Sequence, residues 1–155
     1  MINWINQKLN VNLDPNGLES IKDFSLIWNI FERQVGGMRF TINTAEVSLS
    51  QNQFQQAEFQ TCYDYFRNRY TGDAVALNRF EHLNFRPNDR QAYVRQVLED
   101  PASSTANIVL ALTIIVYRLR NNLFHGEKDM RFIDGQVDNF EQANAFLKTL
   151  LNYYP

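Results

Sequence analysis

The sequence predicts an all-α protein, an antiparallel helical bundle of about four main helices with one or two short extra helices. Apolar residues recur at three- and four-residue intervals through four long stretches, which is the period of a helix with one buried face. The third of these stretches is apolar nearly all round and belongs at the centre of a bundle. Short connections carrying Gly, Pro and Asn separate the stretches, and short connections favour antiparallel neighbours. With 155 residues, 45% of them hydrophobic and 14% aromatic, residues 1–155 form one folded domain with a substantial core.

Residues 1–16 contain Trp4, Ile5, Leu9, Val11 and Leu13 before the turn signal DPNG, and read as an N-terminal arm or short helix lying on the body. Leu18 to Val35 places Leu18, Ile21, Phe24, Trp28, Phe31 and Val35 at helical spacing and is stopped by Gly36-Gly37. Asn29 and Glu32 are the inward polar candidates of this helix. Met38 to Leu49 alternates apolar and polar residues and is expected to be a brief extended segment or a structured loop. Ser50 or Asn52 is expected to cap the next helix, which Phe54, Phe59, Cys62, Tyr63, Phe66 and Tyr70 carry to Thr71-Gly72. A short helix from Asp73 to Phe80 follows, and then a connector, EHLNFRPND, that contains His82. Asn88 or Asp89 is the expected cap of a further short helix through Val94, Val97 and Leu98, which ends at Asp100-Pro101.

The central helix starts within Ser103 to Thr105 and runs through TANIVLALTIIVYRL. It is too short, and too soon interrupted by Arg118 and Arg120, to span a membrane. It ends in a run of polar groups, Arg118, Arg120, Asn121, Asn122 and His125, closed by Gly126 as the expected left-handed residue beyond the C-terminus. His125 then lies in the last turn, where the negative end of the helix dipole favours its charged form. KDMRFIDGQ reads as a polar linker, and Val137, Phe140, Ala143, Phe146, Leu147, Leu150 and Leu151 mark a last amphipathic helix.

At about 100° per residue, Asn121 shares a face with His125, and Arg118 with Asn122. Arg120 is rotated roughly 140° from His125, so only its long side chain or an unwound last turn brings the two together. An imidazole that titrates beside a guanidinium that does not is suited to phosphoryl transfer, one moving a proton and the other stabilising charge on phosphate oxygens. The same residue types also serve as ordinary helix-end partners, with Arg118 or Arg120 paired to an acid such as Glu32 or Glu127.

The segment RNNLFHG, Arg120 to Gly126, resembles the R-x-x-x-x-H signature of the HEPN superfamily, with Asn121 in place of the frequent Asn after the Arg. The resemblance implies a compact helical bundle and a metal-independent endoribonuclease that acts on RNA as a homodimer, two motifs forming one composite cleft. It assigns catalytic roles to Arg120, Asn121 and His125 and suggests Glu32, on an early helix, to orient Arg120 or His125; Asn29, Arg118 and Asn122 are further supporting polar candidates from their positions in the sequence. His125 would act as general base or acid at the RNA 2′-hydroxyl, Arg120 would stabilise the transition state, and a 2′,3′-cyclic phosphate would remain. It implies no metal or other cofactor. Family members resemble toxin and phage-defence components, and a chain without a sensor domain would need an inhibitory partner protein. The chain departs from the nucleotidyltransferase-paired branch, which often carries Tyr two residues after the His where this chain has Glu127. The alternatives are a noncatalytic HEPN-like module that binds RNA, a nucleotide or a protein partner, and a structural interaction domain.

Composition narrows the remaining classes. A net charge of −2 argues against a protein that coats nucleic acid nonspecifically, although Tyr63 to Arg131 carries a slight excess of Lys and Arg. A single cysteine, Cys62, excludes an internal disulfide and a cysteine metal cluster, and the expected setting is the reducing cytoplasm, with no membrane association. The N-terminus lacks the basic start and apolar run of a signal peptide. Phosphate-loop, HExxH, GxSxG and dinucleotide-fingerprint motifs are all missing.

Overall fold

Ser104, not a charged residue, opens the central helix: its hydroxyl accepts a hydrogen bond from the Asn107 N–H at 3.2 Å and so satisfies one of the first-turn donors that have no partner within a helix. In the computed structural model, which describes residues 1–125 and 129–155 and gives positions 130, 132 and 134 as backbone only, this helix spans Thr105–Phe124. Every residue from Ile108 to Val116 is buried. The one hydroxyl in that run, Thr113, donates to the Val109 carbonyl at 2.8 Å, which makes its burial tolerable without a partner from another helix.

Among the described residues there are seven further α-helices: α1 (Ile2–Leu9), α2 (Pro15–Gln34), α3 (Ile42–Leu49), α4 (Gln56–Tyr70), α5 (Ala74–Glu81), α6 (Gln91–Glu99) and α8 (Val137–Leu151), the central helix being α7. A 3-10 helix over Met130–Gln136 leads into α8. No strand occurs among the described residues, and the fold is an all-α helical bundle. Helix α2 lies chiefly along α8, α4 touches α5, α6, α7 and α8, and α3 and α6 lie on α7. Phe24, Trp28, Phe31, Phe40, Tyr117 and Phe140 form a continuous aromatic cluster between α2, α7 and α8. Each fully buried ring or aliphatic side chain there is worth about 1.5–3 kcal/mol relative to exposure, so this packing holds α2, α7 and α8 together. Among the described residues no helix is long and apolar enough to cross a membrane.

Three expectations need correction. Residues 42–49 are helical, neither extended nor a loop. Thr41 caps that helix by accepting from the Thr44 N–H at 3.0 Å, and Ile42, Ala45 and Leu49 bury one face. The alternation that suggested a strand arises because Phe40, still in the loop, and Ile42, already in the helix, are both buried. Helix α4 is not capped by Ser50 or Asn52: Ser50 ends α3, and Gln55 precedes α4 with no side-chain cap. The polar linker after the motif holds a 3-10 helix that buries Ile133.

The glycine stop is borne out. Helix α2 ends at Gln34, Gly37 takes φ +64°, and a Cβ on Gly36 would lie 2.9 Å from the Glu32 carbonyl oxygen, so only glycine lets the chain turn back this closely. Helix α1 buries no residue, and Asn6 Oδ1 ties it to the chain that follows by accepting from the Leu13 N–H at 2.9 Å.

Candidate functional site

The polar run at the end of α7 divides into two groups with different work. Arg118 and Asn122, one turn apart on one face, are both fully buried. The Arg118 guanidinium forms an ion pair with Asp89 at 2.9 Å, its Nε donates to the Leu83 carbonyl at 3.1 Å, and Asn122 Nδ2 donates to the carbonyls of His82 and Leu83, both at 3.2 Å. Together they clamp the connector between α5 and α6 onto α7. Asp89 is not the cap of α6, as expected from its position, since Arg90 precedes that helix; its Oδ2 accepts from the Arg86 N–H at 2.9 Å and faces Arg118. A charge this deep is tolerable only with its partner, so Arg118 and Asn122 are structural groups and not ligand contacts.

Arg120 is placed differently. It is half-buried, its NH1 donates to Asn121 Oδ1 at 3.0 Å, and its guanidinium carbon lies 5.9 Å from the Trp28 ring centre and 5.3 Å from that of Phe124. Rings of this kind attract a cation through their faces without neutralising it. Among the described residues no carboxylate pairs with Arg120, and its buried Nε lacks a hydrogen-bond acceptor. Asn121, 2% exposed, holds the guanidinium, and its carbonyl accepts from the His125 backbone N–H at 2.9 Å. His125 is the residue that ends α7; its ring is exposed, next to Phe124, an aromatic residue 52% exposed.

Thus Arg120, Asn121 and His125 occupy the last two turns of one helix, but among the described residues no hydrogen bond joins Arg120 to His125. The expected orienting role of Glu32 is not seen either: its carboxylate accepts from the Phe40 N–H at 3.4 Å and supports the loop after the glycine stop. Asn29 is exposed and donates to the Ser25 carbonyl in its own helix. Arg118 pairs with Asp89 and not with Glu32. Gly126 as helix terminator and Glu127 as partner or point of departure lie outside the described residues.

Two contributors escaped the sequence. Trp28, from α2, supplies a wall for Arg120, and only the pairing of α2 with the end of α7 puts it there. Phe124 looks like an ordinary core residue, yet it is half-exposed beside the motif; its spacing of four from Arg120 was the available signal. A cleft of about 690 Å³ lies between Phe40, Asn43, Asp89, Arg90 and Tyr117 and includes neither Arg120 nor His125. Among the described residues no group of three or more His, Cys, Asp or Glu side chains is placed to hold a metal ion. Cys62, buried and 3.7 Å from the Gln142 carbonyl, has its thiol pushed up to about 12 by burial, which leaves it protonated and a poor nucleophile.

Comparison with protein-family models, with curated proteins and with solved structures gives no match to this chain.

Proposed function

We propose that the protein is a metal-independent endoribonuclease of HEPN type, with Arg120, Asn121 and His125 as its catalytic residues. The observation that carries this is the state of Arg120: a guanidinium fixed by two aromatic rings and an amide, paired with no carboxylate among the described residues, on the same helix end as an exposed imidazole. A structural arginine would be spent on an acid, as Arg118 is. Among the described residues no acid competes with an anion for Arg120.

In the reaction, His125 accepts the proton of the RNA 2′-hydroxyl as that oxygen attacks the adjacent phosphorus. The bond from phosphorus to the 5′-oxygen breaks, and the leaving oxygen takes up a proton, giving a 2′,3′-cyclic phosphate and a 5′-hydroxyl. Arg120 stabilises the charge that grows on the non-bridging oxygens, and Asn121 keeps the guanidinium in place. Because one chain offers a single imidazole here and no Arg120–His125 hydrogen bond, the working unit is a homodimer in which a second motif completes the cleft and supplies the second proton-transfer group. The exposed Phe124 is suited to lie in that interface. A toxin or phage-defence role in the cytoplasm, with an inhibitory partner protein, fits an enzyme of this chemistry.

The alternative is a noncatalytic module that uses the same residues to hold RNA, a nucleotide or a protein partner. The mildly acidic net charge favours it. Labelled RNA separates the two. An endoribonuclease shows turnover that is lost in both Arg120→Ala and His125→Ala; a binding module shows no turnover in the parent and loses retention of RNA in Arg120→Ala alone.

A further inference from the structure

A second cationic site lies between the ends of α4 and α5. Arg69 and Tyr70 from the last turn of α4, and Asn78, Arg79 and His82 from the end of α5, line one cavity of about 270 Å³ whose floor includes Leu119 of α7. Among the described residues no carboxylate is part of its lining, which also includes Gln136 and Asn139. The acid of α5 closest in sequence, Glu81, is committed elsewhere, to Arg95 at 3.0 Å. Asp138, on α8, is exposed and is not among the lining residues; it acts electrostatically on Tyr65, as Arg69 and Arg79 do in the opposite sense. Among the described residues neither Arg69 nor Arg79 has an ion-pair partner.

Two guanidiniums around one hollow repel each other unless something offsets them. The negative ends of α4 and α5 do so in part, since each helix end carries roughly half a charge. That leaves a net positive hollow, and it leaves Arg69 Nε buried without an acceptor, a condition that a native protein resolves with a water or an ion. Arg69 is also fixed in place, its guanidinium carbon 5.9 Å from the Tyr70 ring centre. His82 is oriented through its Nδ1, 2.7 Å from the Asn78 carbonyl, so Nε2 is the nitrogen left for a ligand. An ordered fork, a second arginine at the rim and an oriented imidazole are the groups that recognise a tetrahedral oxyanion.

We infer that this cavity is a phosphate-binding site that takes the phosphoryl group of a phosphate ester. Its volume, just under the range of about 300–1,000 Å³ usual for whole small-molecule ligands, suits the phosphoryl group with the rest of the ligand outside. The shared chemistry belongs both to the terminal phosphate of a nucleotide and to a backbone phosphate of RNA. The site does not depend on the nuclease assignment.

The test is calorimetric titration of the full chain with inorganic phosphate, with 5′-AMP and with a short oligoribonucleotide lacking terminal phosphates. It is run on the parent, on Arg79→Ala, on Arg79→Glu and, as a control for overall charge, on Arg33→Ala. Arg79 and Arg33 are both exposed, so the folded state survives these changes, as circular dichroism will show. Binding of phosphate and 5′-AMP that weakens at least tenfold in Arg79→Ala, vanishes in Arg79→Glu and is unchanged in Arg33→Ala supports the site. If the oligoribonucleotide shares that dependence on Arg79, the natural source is a backbone phosphate; if it does not, a terminal one. No binding of any of the three by the parent at millimolar concentration, or equal weakening in Arg33→Ala, overturns the inference. His125→Ala retains phosphate binding whether or not it abolishes cleavage, so the two assignments fail separately.

Discussion

Arg118 and Arg120, two residues apart, show how surroundings decide what an arginine does. Removing the partner of Arg118 leaves a buried charge uncompensated, so Asp89→Asn is expected to cost about 3–5 kcal/mol of stability, read as a lowered urea midpoint. His125 lies at the exposed helix end, and His125→Ala is expected to change stability by less than about 0.5 kcal/mol on the same scale. Arg120→Lys keeps the charge but loses the planar fork and its stacking on Trp28 and Phe124; cleavage should fall by about 10²-fold, on the scale of losing one oriented transition-state donor. If Arg120→Lys cleaves RNA at the parent's rate, the guanidinium has no special role. The sequence made Arg120, Asn121 and His125 legible as a group because they are close along the chain. It did not separate Arg118 from them, because Asp89, which claims Arg118, is 29 positions earlier and meets it only in the fold.

The four long helices, α2, α4, α7 and α8, were legible because fifteen or twenty residues of consistent apolar spacing leave little ambiguity. The eight-residue α3 was not: its pattern is too short to average out, and its cap and its packing on α7 decide the outcome. Thr41→Ala is therefore expected to destabilise the protein by about 1 kcal/mol, and Thr41→Ser to recover most of it. Helix α3 is also joined to the start of α6 through Arg90, which reaches Glu46 at 2.7 Å and Asn43 at 2.6 Å. The hydrogen bond and charge of Arg90 hold the Glu46 carboxyl below its ordinary value. A carboxyl lowered on folding contributes stability above its unfolded pKa and loses it as pH falls through the folded one. Stability of the parent should thus fall more than that of Glu46→Gln on acidification below the ordinary glutamate range, an increment that is small because the pair is partly exposed. Equal acid sensitivity of the two would remove Glu46 from the account.

For the whole molecule, the bundle presents Arg120 and His125 at one end of its central helix and keeps its single thiol inside. Cys62 should resist alkylation in the native protein and react on unfolding, so iodoacetamide labelling reports global opening and not access to the site. Chemistry at the end of α7 is the central claim, and the most direct measurement is incubation of the parent and of His125→Ala with mixed cellular RNA in EDTA, followed by mapping of the new termini. Cleavage by the parent alone, leaving 2′,3′-cyclic phosphates and 5′-hydroxyls, is the predicted result. Equal cleavage by His125→Ala, or termini of another chemistry, would contradict it.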